Sequence, residues 1–350
     1  MKANCKKYIL DFKRPSGTSR GVLTQKETWF LILEDNGKEG IGECGLLKGL
    51  SFDDVPDYKE KLRWTCDHIH LGKDTLWEQL KAFPSIQFGV EQAFLSLESE
   101  DSFELFSSDF TRKESPIAIN GLIWMGDEVF MLSQIQKKLK EGFRCIKMKI
   151  GAVDFDTEVA ILKSIRRTYS EEQIELRVDA NGAFPISEAL DKLKILADLG
   201  IHSIEQPIRP GNVLRMKNLC AQTPLDIALD EELIGISDAT QKEKLLQTIQ
   251  PQYIILKPSL VGGFKGSMEW IHLAEKYNIS WWITSALESN IGLNAIAQWT
   301  FTLNNQLPQG LGTGSLYINN FDSPLQVAAG KLYYRRNQNW KTDLIKELCI

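Results

Sequence analysis

The sequence predicts an α/β chain. Residues 116–320 are expected to form a modified (β/α) TIM barrel, the catalytic domain. Residues 1–115 are expected to form an α+β capping domain, to which a C-terminal tail, 321–350, returns. Three observations carry this reading. Short apolar runs end at Lys149, Asp179, Glu205, Asp230 and Lys257, in steps of 179 − 149 = 30, 205 − 179 = 26, 230 − 205 = 25 and 257 − 230 = 27 residues. That repeat is the length of a strand, loop, helix and loop. The segments between the runs, such as Phe155 to Arg167 and Ile186 to Leu199, have helical periodicity. The first 45 residues follow another pattern: apolar runs separated by Asn36-Gly37, the signature of a tight hairpin.

In chain order, Trp29–Leu33 reads as a strand and Glu39–Cys44 as its return. Arg14–Gly21 is rich in turn formers and reads as a loop, and Gly45–Leu50 as a second one. Residues 53–112 carry helical periodicity broken at Pro56 and Pro84, and Phe88–Leu97 is amphipathic enough to pack on the hairpin sheet. His68 and His70 in this region read as surface or packing residues, and Trp64 and Trp77 as core. The barrel should open at Ile117–Ile123, with a first helix from Asp127 to Glu141 ended by Gly142. Trp281–Ser285 is strand seven, with one indole facing in and one out. Gln309–Thr313 is a short, glycine-rich strand eight. Gly262-Gly263 reads as a turn rather than a phosphate cradle. Lys331–Tyr334 is expected to rejoin the capping domain as a strand.

Composition limits the function classes. At 43% hydrophobic and 25% charged residues, the chain is an ordinary globular protein. A net charge of −5 argues against nucleic acid as partner. No run approaches the ~18 apolar residues of a membrane span, and no signal peptide is apparent, so neither a membrane nor secretion is expected. The six cysteines show no metal or C-x-x-C spacing and are expected to be reduced thiols of a cytoplasmic protein. The expected partner is a small carboxylate; the oligomeric state is left open.

The chemistry lies at the strand ends. On a strand, Lys147 and Lys149 share one face while Ile146, Met148 and Ile150 share the other. Two adjacent, poorly hydrated ammoniums repel, which favours a neutral amine able to act as a base. A lone acid at a strand end is often a helix cap and a lone lysine is often solvated. The ordered series Lys149, Asp179, Glu205, Asp230, Lys257 at consecutive barrel units is not explained that way, because the C-terminal strand ends share one mouth. Three carboxylates there require a cation. With no His or Cys at those ends the donors are hard oxygens, and Mg²⁺ is the expected metal, with Mn²⁺ as a possible substitute.

The motifs KMK at 147–149, VDANG at 178–182, IEQP at 204–207, ALDE at 228–231 and LKPS at 256–259 resemble the enolase superfamily, and within it the muconate lactonizing subgroup. The resemblance covers nearly the whole chain. It implies removal of a proton alpha to a carboxylate on Mg²⁺, with Asp179, Glu205 and Asp230 as metal ligands and Lys149 and Lys257 as the catalytic lysines. It also implies that the loops at 14–21 and 45–50 fold over the mouth and exclude water. The mandelate racemase branch uses a His after strand seven, and Trp281–Ser289 has none. The dipeptide epimerases usually carry Asp-x-Asp at strand eight, and Gly310–Ser315 has no acid. INGLIWMG at 119–126 and SALESNIG at 285–292 most resemble the o-succinylbenzoate synthase family, which dehydrates a succinyl-hydroxycyclohexadiene carboxylate. On that reading Lys147 depresses Lys149 by like charge, and Asn181 and Glu231 support the first ring of residues. Ser285 and the amides of Gly312 and Thr313 receive the succinyl carboxylate. The alternatives are an N-acylamino acid racemase or dipeptide epimerase, and a barrel that binds small carboxylates without turnover.

Overall fold

The computed structural model describes residues 1–18, 21–341 and 344–349. Strands β1 (Lys2–Thr18), β2 (Gly21–Asp35) and β3 (Lys38–Cys44) form an antiparallel meander. The β2–β3 turn is Asn36-Gly37, both at positive φ (49° and 80°), as a twisted two-residue hairpin requires. The helix Pro84–Glu98 lies across β3, with Pro84 in its first turn. Backbones meet there: a Cβ on Gly42 would stand 1.9 Å from the Gly89 carbonyl oxygen. His68 stacks on Trp64 at 4.3 Å and its Nδ1 meets the Trp64 carbonyl, a packing role.

Two cap expectations need correction. Arg14–Thr18 is not a loop but the end of β1, paired with β2 as far as Thr18 opposite Gly21. The turn formers are absorbed by a register break between Asp11 and Ser16, where Pro15 needs no ladder donor. Ser19 and Arg20 of that stretch lie outside the described residues. The second correction concerns the tail. Leu325–Ala328 pairs with Lys331–Tyr334, which pairs in turn with β4 (Ile117–Ala118), and neither joins the cap sheet. Leu332 is drawn into the barrel core opposite Ile117. The tail reaches the cap through the helix Leu344–Cys349 instead, whose Leu344, Ile345 and Leu348 pack on Phe30, Ile32 and Ile41.

The barrel is a parallel sheet of β5 (Gly121–Ile123), β6 (Cys145–Lys149), β7 (Glu175–Asp179), β8 (Ser203–Glu205), β9 (Ile227–Leu229), β10 (Tyr253–Leu256) and β11 (Ser280–Ile283), adjacent in that order. The expected eighth strand is reduced to Gln309-Gly310, which bridges Ile119 and Thr284 and joins the two sheet edges. Gln309 N–H donates to the Ala118 carbonyl at 2.9 Å and Gly310 N–H to that of Ile283 at 2.8 Å. A side chain at Gly310 would collide with Thr284, 2.5 Å away, so the glycine is required for this closure. Alternation sends Ile146 and Met148 into the helix-covered core. On strand β11, Trp281 joins that core and Trp282 points inward, as expected. Inside, the Arg177 guanidinium stacks over Trp282 at 4.2 Å and plugs the barrel. Cys5, Cys44, Cys66, Cys145 and Cys220 are free thiols. Among the described residues no helix is long and apolar enough to cross a membrane.

The glycine pair Gly262-Gly263 opens the helix Gly263–Lys276. The anion at that helix end is the protein's own: buried Glu91, from the cap, accepts from Phe264 N–H at 2.5 Å and Lys265 N–H at 3.1 Å. Burial pushes the Glu91 carboxyl up to about 7, against the pull of these two donors. The folded state therefore binds this proton more tightly than the unfolded chain. Its contribution to stability is greatest at acid pH and is lost as pH rises from ~4.5 to about 7. Glu91→Gln should remove a slope on the order of 3 kcal/mol across that window. Calorimetric melting of both proteins from about pH 4.5 to pH 8 reads it; parallel curves would refute the assignment.

Candidate active site

The mouth is built from strand ends. Ladder register sets Lys149 beside Asp179 and Asp179 beside Glu205. Asp230 follows β9 and Lys257 follows β10. All five residues of the expected series, with Lys147, meet in one cluster. Lys149 Nζ lies 2.7 Å from Asp179 Oδ2, and Lys147 Nζ lies 3.0 Å from the same oxygen. Lys147 also contacts Glu205 Oε2 directly. Lys257 contacts Asp230 Oδ2 and stands 3.7 Å from Glu205 Oε1. The carboxylates are the deeper layer: Asp179, Glu205 and Asp230 are 0, 2 and 2% exposed, with the amines over them.

These contacts set the electrostatics. Burial alone would neutralise Lys147, but Asp179 and Glu205 outweigh it and hold the ammonium above the usual lysine range. Lys257 is raised in the same way, burial being overcome by Asp230 and Glu205. Burial opposes charge on Asp179 too, yet the three lysines hold its carboxyl well below the usual range. For Asp230, burial together with Glu231 and Glu205 pushes upward against Lys257. The direct contact with the Lys257 ammonium identifies this as an ion pair. One expectation is corrected here. Lys147 does not present a bare like charge to Lys149, because Asp179 and Glu205 neutralise it.

Flanking residues fix this ring. Asn181, at φ 44°, turns its Oδ1 to accept from Lys149 at 2.7 Å and donates through Nδ2 to Glu231 at 2.9 Å. Gln206 ties the ends of β8 and β9 through Glu232. Ser285, Gly312 and Thr313 stand in the wall of the cavity above the lysines. The Ser285 hydroxyl, however, donates to buried Glu288 at 2.6 Å and accepts from the Thr313 hydroxyl at 2.9 Å. The Ser285 proton is therefore not free for a substrate carboxylate, which corrects the role expected for that hydroxyl. Glu288 also accepts from Ser259, two residues after Lys257. The strand-end pattern of the sequence assigns Glu288 no role. Its signal in the sequence is a carboxylate on the loop that follows strand seven, close to the mouth, and a carboxylate buried there must find donors.

The cavity holds about 880 Å³. Its floor includes Lys147, Lys149 and Lys257, and both cap segments named as lids line it: Lys13 to Ser16 with Gly21 to Leu23, and Leu47 to Leu50. No aspartate or glutamate among the described residues faces it.

A divalent cation can be tested against this donor set. Three buried carboxylates without sulfur or imidazole suit a hard cation. Buried Glu205 Oε1 has no hydrogen-bond donor. The residues fit by chemistry. As the side chains stand, ammoniums lie between the acids, and no three acidic, His or Cys side chains among the described residues form a ready metal cluster.

A capped barrel with its charged residues gathered at the C-terminal mouth is an enzyme architecture. The chain belongs to the enolase C-terminal domain-like family, whose model matches residues 131–337. It is 47% identical to o-succinylbenzoate synthase of Desulfotalea psychrophila, over 95% of this chain and 98% of that one. The crystal structure of MenC from the same organism is similar at a TM-score of 0.85 and 44% identity, covering 95% of this chain and 99% of that one. An N-succinylamino acid racemase of Thermus thermophilus is 29% identical over 79% of this chain and 75% of its own length. Enolase-superfamily enzymes depend on a divalent metal.

Proposed function

We propose that this chain is a Mg²⁺-dependent o-succinylbenzoate synthase, a carbon–oxygen lyase of menaquinone biosynthesis. It would convert 2-succinyl-6-hydroxy-2,4-cyclohexadiene-1-carboxylate to 2-succinylbenzoate by syn elimination of water. The observation that carries the choice is the cavity wall. With no carboxylate facing it, the cavity offers no partner for the ammonium of a dipeptide but suits an anion.

Asp179, Glu205 and Asp230 would hold the metal, which when bound neutralises the substrate carboxylate and makes the alpha C–H acidic. Lys149 reaches the cavity and is aimed by Asn181. As the free amine it takes the alpha proton, the C–H pair becomes the new ring double bond, and the C–O bond to the neighbouring hydroxyl breaks. The same ammonium then protonates the departing hydroxide, so the products are water and the aromatic diacid. Lys257, held charged by Asp230 and Glu205, stabilises the negative charge that develops on the carboxylate. Lys147 balances the acid row through its contacts with Asp179 and Glu205. The amides of Gly312 and Thr313, two residues that line the cavity, would receive the succinyl carboxylate.

A second reading, racemization of N-succinylamino acids, is favoured by one observation: lysines stand on both sides of the acid row, at β6 and after β10. The deciding experiment is direct. Purified protein with Mg²⁺ should convert the cyclohexadiene to 2-succinylbenzoate, followed by absorbance. EDTA should abolish turnover, and Mg²⁺ or Mn²⁺ should restore it. Undiminished turnover in metal-free protein, or none with metal, would reject the proposal.

A further inference from the structure

A second cap carboxylate repeats the pattern of Glu91 one helix later. Glu43, on β3, binds the N-terminus of the helix Asn290–Thr302, which follows β11. Its Oε1 accepts from Ser289 N–H at 3.0 Å and from the cap's own Thr28 hydroxyl at 2.8 Å. Its Oε2 accepts from the Ser289 hydroxyl at 2.5 Å and from Gly292 N–H at 2.9 Å. The residue before Ser289 is Glu288, which accepts from Ser285 on the cavity wall and from Ser259, two residues beyond Lys257. Gly45 completes the contact: a Cβ there would lie 3.1 Å from both Glu288 Cγ and Ser259 Cβ. The cap thus rests on the loops that follow β10 and β11, which lead away from Lys257 and from the wall.

One cation serves both acids. The Lys26 side chain, on β2, is 2% exposed, and Glu43 and Glu288 are fully buried, so water screens none of the three. Lys26 Nζ stands 3.8 Å from Glu43 Oε1 and makes no hydrogen bond among the described residues. Its role here is therefore charge rather than a directed contact. Burial pushes the Glu288 carboxyl up, with Glu43 adding to the push, while Lys26, Ser259 and Ser285 pull it down. Cys44 and Tyr317 also face these acids, and burial raises both well above their ordinary values, so both stay neutral. A protonated Glu288 would have to donate to one of its two serines, reversing that bond. We propose that Lys26 and Glu43 are positioning residues for the reaction: they dock the cap on the loop at Ser285–Ser289 and hold Glu288 against Ser259, and so fix the backbone that carries Lys257. Neither lines the cavity, so their effect reaches the substrate only through Lys257 and the wall. This rests on the reading of the Lys149–Lys257 cluster as the reaction centre, but not on whether that centre dehydrates or racemizes.

Steady-state kinetics of the full chain with Mg²⁺, from about pH 5 to about pH 9, test this on three variants. Glu43→Gln should lower kcat by about tenfold or more and change KM less than about threefold, because placement is lost and no substrate contact is. Lys26→Met should move the acid limb of the kcat profile to higher pH by about one unit. Lys26 no longer pulls Glu288 down, so a higher pH is needed to ionise it. Lys26→Arg keeps the charge and should keep the limb within about 0.3 unit. A purely structural role would lower the melting temperature and leave the limb where it is. The substitutions are close in size, and circular dichroism checks that each variant folds. Hydrogen exchange adds a readout independent of turnover: peptides over 257–264 and 285–292 should exchange faster in Glu43→Gln, with β6 and β7 unchanged. An unmoved limb in Lys26→Met, a limb displaced equally in Lys26→Arg, or a wild-type kcat in Glu43→Gln would overturn the proposal, even where the wild type dehydrates the cyclohexadiene normally. The two readings fail separately. A wild type that instead exchanges deuterium at Cα of N-succinylamino acids removes the proposed function and leaves this proposal, with the same variants scored on that exchange. A wild type that does neither overturns both.

Discussion

Lys149→Ala is expected to lower kcat for the cyclohexadiene by at least about 10²–10⁴-fold, the span that a general base commonly supplies. In a syn elimination one amine both takes the alpha proton and returns it to the hydroxide, so no partial function is left. The fold should survive, because Asp179 keeps Lys147 at 3.0 Å and the Asn181 N–H at 3.0 Å. Lys147→Ala is expected to behave differently. It would take the direct partner from Glu205 Oε2, deep in the site, and a broken buried pair costs about 3–5 kcal/mol. Steady-state rates and melting curves of the two variants separate the roles. Lys149→Ala should lose rate and keep its melting temperature; Lys147→Ala should lose both. A Lys149→Ala protein with near-normal kcat beside an inactive, stable Lys147→Ala would mean that the two lysines are exchanged.

The site residues were legible for a geometric reason. A parallel barrel delivers every strand end to one mouth, so a charge recurring every 25 to 30 residues defines a cluster without knowledge of any contact. Strand faces were legible for a similar reason: alternation alone separates Lys147 and Lys149 from Ile146 and Met148. What the sequence concealed was set by tertiary partners. Pro15, Ser16 and Gly17 have the local preferences of a loop, but a register break lets them remain in β1. Lys331–Tyr334 has strand character, yet nothing local says that its neighbour is Ile117 rather than the cap sheet. Gly310 reads as flexible, while its role is to let Thr284 approach. Within the site, the sequence placed acids and lysines together but not their pairing, and so overstated the like charge that Lys147 shows Lys149. Ser285 looked available because its partner Glu288, three residues on, comes into contact only through the turn at Leu287, whose φ is 66°.

Lys257→Arg should distinguish dehydration from racemization. In the elimination Lys257 contributes charge, whereas in a racemase it must give and take a proton from the face opposite Lys149. Guanidinium keeps the charge but is not deprotonated in proteins. Lys257 stands against Asp230 and beside Glu205, and its amine borders the open cavity, so a longer cation has space on the substrate side. The expected result is a dehydratase that retains measurable turnover, reduced by about 10–100-fold through imperfect placement of the charge. Lys257→Ala, which leaves Asp230 without its cation, should fall further. Racemization of N-succinylamino acids, if the wild type shows any, should disappear in both variants. Incubation in D₂O makes the comparison independent of product assays. The wild type should form the aromatic diacid rapidly and admit deuterium at Cα of N-succinylamino acids slowly or not at all. Fast deuterium entry at Cα, no dehydration, and complete loss of exchange in Lys257→Arg would together assign the cluster to racemization instead, because only that reaction needs a second transferable proton at position 257.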